Sequence, residues 1–99
     1  MPAYIIFNYN ITNQDKIGKL SKLSKASDKR SKYNQKVIVA NIVKPIEGSS
    51  KLNHIVIYEF DNLNFANKWY YEESSKDVKE LRQDITEGWV TIVEGYEPN

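Results

Sequence analysis

The 99-residue sequence contains no cysteine and a single histidine, His54. Disulfides, thiolate nucleophiles, iron–sulfur clusters and cysteine-based zinc sites are therefore excluded together. His54 has no second imidazole in the chain with which to form a metal or catalytic pair. No run of about 18 apolar residues offers a membrane-spanning helix. The one apolar stretch near the N-terminus, Ala3 to Phe7, has neither a basic leader nor a small-residue cleavage site, so no export signal is expected. With the missing thiols, this points to the cytoplasm. P-loop, GxGxxG, HExxH and GxSxG patterns are also missing, and the reaction classes they mark have no warrant here.

The sequence is 40% hydrophobic and 27% charged, a globular mixture long enough for one domain over residues 1–99 and too short for two cores. Its formal charge of +1 conceals two blocks. Asp15 to Lys36 holds eight Lys and Arg against two Asp, a charge of +6, whereas Glu72 to Glu97 holds eight acids against three bases, a charge of −5. The basic series follows a spacing near three and reads as a solvated helix face. Without nucleic-acid motifs beside it, and with an acidic block to balance it, nucleic acid is not the expected partner. Attraction between the two blocks across a dimer is the expectation instead, and it would be weakened by salt.

Residues Ala3 to Ile11 are rich in aromatic and β-branched side chains and predict a strand. Thr12 and Asn13 are candidate caps for a helix from about Gln14 to Lys32, with a thin stripe of Ile17, Leu20, Leu23 and Ala26. Strands are predicted over Lys36 to Val43 and Leu52 to Phe60, separated by Pro45 and a Gly48-Ser49-Ser50 turn. Asp61 and Asn62 would cap a helix through Leu63, Ala66, Trp69 and Tyr70, broken at Ser74-Ser75 and resumed through Val78, Leu81 and Ile85. Gly88 to Glu94 predicts the last strand.

The order β-α-β-β-α-β predicts an α+β, ferredoxin-like antiparallel sheet with its helices on one face. Strand alternation places Ile5, Phe7, Ile38, Ala40, Ile55 and Ile57 toward the helices. The opposite face takes Tyr4, Asn8, Val37, Asn41, His54, Val56, Tyr58 and Trp89, and is still largely apolar. An exposed patch of that kind predicts a second sheet packed on it, with a homodimer as the simplest partner.

Several of these residues form a familiar set. Ala3-Tyr4-x-Ile6, Glu59-Phe60, Ala66-x-x-Trp69-Tyr70, Leu81-Arg82, Gly88 and Val93-Glu94-Gly95 together resemble the bacterial domain-of-unknown-function family 1330. The resemblance spans essentially the whole chain. It implies a dimeric α+β barrel in which two ferredoxin-like subunits close their sheets around a shared interior. That superfamily of folds includes cofactor-independent oxygenases, lactone isomerases and haem-degrading enzymes, and the shared fold transfers none of these chemistries. Two departures stand out: Val39-Ala40-Asn41 replaces the family's Arg-Gly-Gly, and Glu72-Glu73-Ser74-Ser75 replaces its Ser-Pro-x-Tyr.

His54 is the candidate general acid or base, because its ordinary pKa lies near neutrality; a hydrogen-bonded structural histidine is the competing reading. Glu59 is expected to point toward the helices and to form a structural ion pair with Arg82. Tyr4, Asn8, Asn41, Tyr58 and Trp89 are the candidate ligand-binding residues, directing polar and aromatic groups into an apolar interior. Trp69, Tyr70 and Tyr71 can stack on a planar ligand, although Trp69 shares the apolar face with Ala66 and suits the core. No cofactor or metal is expected, since the acidic helix residues lack a histidine among them and the second helical region offers no axial haem ligand. Two functions stay open: binding or turnover of a small apolar or aromatic molecule in a strand-lined pocket, or a structural or stress-associated dimer whose interior is filled by its own side chains.

Overall fold

The structure, a computed structural model, describes residues 1–28, 32–73 and 76–98. Strand β1 (Ala3–Ile11) leads through a 3-10 turn (Gln14–Lys16) into α1 (Ile17–Asp28). Strands β2 (Lys36–Ile42) and β3 (His54–Phe60) follow, then α2 (Leu63–Lys68), a π-helical turn (Trp69–Glu73), α3 (Lys76–Ile85) and β4 (Thr86–Glu94). The expected Ser74-Ser75 break lies outside the described residues. Of the candidate caps, the second of each pair is used. The Asn13 side chain accepts from the Asp15 amide at 3.1 Å, and that of Asn62 accepts from the Phe65 amide at 2.8 Å.

The four strands form one antiparallel sheet in the order β2-β3-β1-β4, the ferredoxin-like topology. The core lies on its helix-covered face. Ala3, Ile5 and Phe7 of β1 pack there with Phe60 of β3 and with Ala66 and Trp69 from the second helical region. Burying Trp69 and Phe60 alone contributes several kcal/mol on the scale of roughly 25 cal/mol per Å². The basic and acidic blocks meet inside the chain: Lys16 Nζ lies 3.3 Å from Asp84 Oδ2, tying the start of the first helical segment to α3. Both side chains are more than half exposed, so this pair adds about 0–1 kcal/mol.

The register corrects the predicted phase of β3. Ala3, Ile5, Phe7 and Tyr9 stand opposite Phe60, Tyr58, Val56 and His54, so these β3 residues share the helix-covered face. Ile55, Ile57 and Glu59 take the open face, the reverse of the expectation. The phase was hard to read because both sets are apolar. Glu59, charged and next to the fully buried Phe60, is the residue that marks the wetter side. In β2 an irregularity between Val37 and Val39 places Val37 opposite Tyr58 on the helix side, while Val39 and Asn41 remain on the open face as expected.

Candidate functional site

The open face holds Tyr4, Asn8, Asn41 and Trp89 from the expected ligand-binding set. Their polar groups are used locally. Asn8 Nδ2 donates to the His54 carbonyl at 2.8 Å, and Asn41 Oδ1 accepts from the Ile42 amide at 2.8 Å. Tyr58 is on the other side of the sheet, edge-on to Phe7 at 5.2 Å and to Trp69 at 5.3 Å between ring centres. His54 is there too, stacked on Tyr9 at 5.3 Å with the rings 12° from parallel. Its Nδ1 is 2.7 Å from Asn53 Oδ1. The sheet therefore separates Asn8 from His54 and Tyr58.

The expected ion pair of Glu59 and Arg82 is also absent. Glu59 lies opposite Tyr4 and Lys36 on the open face, whereas the Arg82 guanidinium carbon stands 4.9 Å from the centre of the Phe7 ring on the helix side. Strand alternation is the reason. The buried Phe60 fixes Glu59 on the opposite face of β3.

A concavity lies between α3 and the β1–β4 pair. It measures about 410 Å³, and Phe7, Tyr9, Tyr70, Arg82, Thr86 and Gly88 are among its lining residues. A smaller recess of about 80 Å³ beside it shares Phe7, Tyr9 and Arg82 and adds Tyr58. The larger volume falls within the range typical of small-molecule sites.

Local structure explains this space. Helix α3 runs directly into β4, and the Ile85 carbonyl at the junction accepts from the Thr12 amide at 2.7 Å. The Thr86 hydroxyl donates to the Arg82 carbonyl at 2.6 Å, closing the last turn of the helix. Arg82 is thereby held above β1. Opposite Tyr9, Gly88 has φ +148°, and a Cβ there would fall 2.1 Å from the Asn8 carbonyl oxygen. Only glycine allows β4 to pass β1 so closely. The π-helical turn sends Trp69 into the core, and Tyr70, half-buried, lines the cleft wall.

The electrostatics are one-sided. Burial raises the Tyr9 phenol above its ordinary pKa, with the positive charge of Arg82 opposing the shift, so this hydroxyl is neutral around pH 7. Lys79 Nζ lies 4.3 Å from the centre of the Tyr70 ring. Desolvation lowers its pKa, and the like charge of Arg82 adds to that. Glu87 is the acid on the rim; its Oε1 is 3.4 Å from Asn10 Nδ2. Among the described residues no three His, Asp or Glu side chains converge as a metal-ligand set.

Phe7 and Tyr9, which strand alternation places on the helix side, were not expected as cleft residues. The available signal was Gly88, a strand glycine, which often marks close approach of another backbone or a ligand.

An antiparallel α+β subunit with a cleft between its sheet and its helices defines the class. The family model for the domain of unknown function DUF1330 matches residues 2–96, and the chain belongs to that family. The fold is similar to that of a protein of unknown function from Rhodopseudomonas palustris, with TM-score 0.70 and 13% identity over 98% of this chain and 84% of the other. A conserved protein from Methanosarcina mazei Go1 aligns with TM-score 0.57 and 10% identity over 93% and 88% of the two chains. A protein of unknown function from Bacteroides fragilis, described as dimeric with a ferredoxin-like fold, aligns with TM-score 0.54 and 11% identity over 95% and 94%. No curated protein matches the sequence. Among the described residues no helix is long and apolar enough to cross a membrane.

Proposed function

We propose that the chain acts in the cytoplasm as a homodimer joined through its open sheet faces, each subunit binding a small planar molecule in the cleft between α3 and the β1–β4 pair. The observation that carries this reading is the unequal treatment of the two sheet faces. The helix side is covered but keeps an aromatic cleft of about 410 Å³ under the end of α3. The open side is apolar at Ile6, Val39, Ile55 and Ile57 and has no covering element among the described residues. An apolar sheet face of this extent is rare on a monomer. The dimeric description of the Bacteroides fragilis protein, which shares the topology, supports a second copy as its cover.

In this reading the open face serves association and the helix side serves the ligand. His54 is then a positioning residue, stacked against Tyr9 and steadying that ring. A thermal-shift screen with planar metabolites tests the reading. A compound present at 100 times its Kd adds about 2.7 kcal/mol of stability, a rise of several degrees for a domain of this size. No rise across a broad panel would contradict it and would favour the dimer whose interior is filled by its own side chains.

A further inference from the structure

Arg82 has a surplus of hydrogen-bonding capacity. A guanidinium presents five N–H donors in a planar fork and is charged at every physiological pH. Among the described residues its side chain has no carboxylate partner and no hydrogen-bond acceptor; its one contact of this kind is the face of Phe7, 4.9 Å away. Phe7 is 5% exposed, Arg82 is partly buried above it, and the space in front of the guanidinium is the cleft.

Resting on the cleft reading above, we infer that the ligand is an aromatic carboxylate whose two oxygens dock on the Arg82 fork while its ring lies among Phe7, Tyr9 and Tyr70. The geometry favours this class on three grounds. The fork matches a carboxylate in a two-bond arrangement, which a lysine would not provide. The surrounding rings suit a flat hydrocarbon body. The neutral Tyr9 hydroxyl adds a donor without adding charge, so the site is balanced for a monoanion. Lys79, over Tyr70 on the same helix, reinforces the positive field, and Glu87 on the rim is drawn toward Asn10.

Calorimetric titration of the full chain with 1-naphthoate and with its neutral analogue 1-naphthamide tests the charge separately from the cleft. The expected result is that 1-naphthoate binds about 10-fold more tightly, the usual gain from a charge-assisted pair, and that this margin shrinks as salt is raised. Arg82→Gln should erase the difference between the two compounds, and Arg82→Lys should restore part of it. Arg82→Met, which keeps the apolar stem over Phe7, separates loss of charge from loss of packing if Arg82→Gln lowers the melting temperature. Equal binding of the two compounds by the unaltered chain, or an undiminished preference in Arg82→Gln, overturns the carboxylate inference and leaves the cleft reading standing. Binding of neither compound overturns both.

Discussion

The Arg82 guanidinium carbon lies 4.9 Å from the centre of the Phe7 ring, placing a cation without a carboxylate partner among the described residues over the floor of the cleft between α3 and the β1–β4 pair. A cation over an aromatic face contributes about 0.5–1 kcal/mol at an exposed site and more when desolvated. Arg82→Met should therefore lower stability by about 1 kcal/mol or less in urea titrations. Phe7→Ala, which opens a cavity in the core below, should cost about 3–5 kcal/mol.

Gly88 should tolerate no side chain. Its φ of +148° and the 2.1 Å approach of a built Cβ to the Asn8 carbonyl oxygen leave the backbones of β1 and β4 no room to keep their spacing. Gly88→Ala is expected to destabilise the fold by about 1–3 kcal/mol or more, measured by thermal or urea unfolding. Gly18, which meets nothing within 4 Å, provides the contrast: Gly18→Ala in the helix should stabilise by about 0.5–1 kcal/mol.

The open face should hold the dimer together. Ile57 is half-buried at the centre of that face, opposite Ile6 and Val39. In sedimentation experiments at micromolar concentration the unaltered protein should run as a dimer and Ile57→Asp as a folded monomer. A monomeric unaltered protein would refute this part of the account. Lys16 and Asp84 join the charged blocks within one chain, and the attraction expected between the remaining charges across subunits should appear as weaker dimerisation at raised salt.

Tyr9 sets an alkaline limit. Its folded pKa is raised above the ordinary value of 10.0, so the unfolded chain loses this proton first. The contribution is fully present below pH 10 and is lost as pH rises toward the folded pKa. Unfolding free energy measured across this interval should fall more steeply for the unaltered chain than for Tyr9→Phe. Parallel slopes would contradict the burial of the phenol.

Element order was legible because aromatic and β-branched runs alternate with capped, amphipathic stretches, and Asn13 and Asn62 cap their helical segments as their positions implied. The family was legible from landmarks such as Glu59-Phe60 and Trp69-Tyr70. The site was not. Both faces of β3 are apolar, so alternation alone could not say whether Tyr58 or Ile57 faced the helices, and the expected positions of His54, Tyr58 and Glu59 rest on the wrong phase. Phe7 and Tyr9 read as helix-side residues for the same reason that makes them a cleft floor: they are large, apolar and on the covered face. Only the spacing of α3 from β1, set by the direct passage of α3 into β4 beside the close β1–β4 approach at Gly88, distinguishes a filled core from a recess, and the strand glycine is its one local signal.

Amide correlation spectra recorded while 1-naphthoate is added show whether the helix side or the open face receives the ligand. Shifts are expected to cluster at Phe7, Tyr9, Arg82, Thr86 and Gly88, with Val39, Asn41 and Ile55 unmoved. Shifts clustered at Val39, Asn41 and Ile55, or no shifts anywhere, would contradict binding on the helix side.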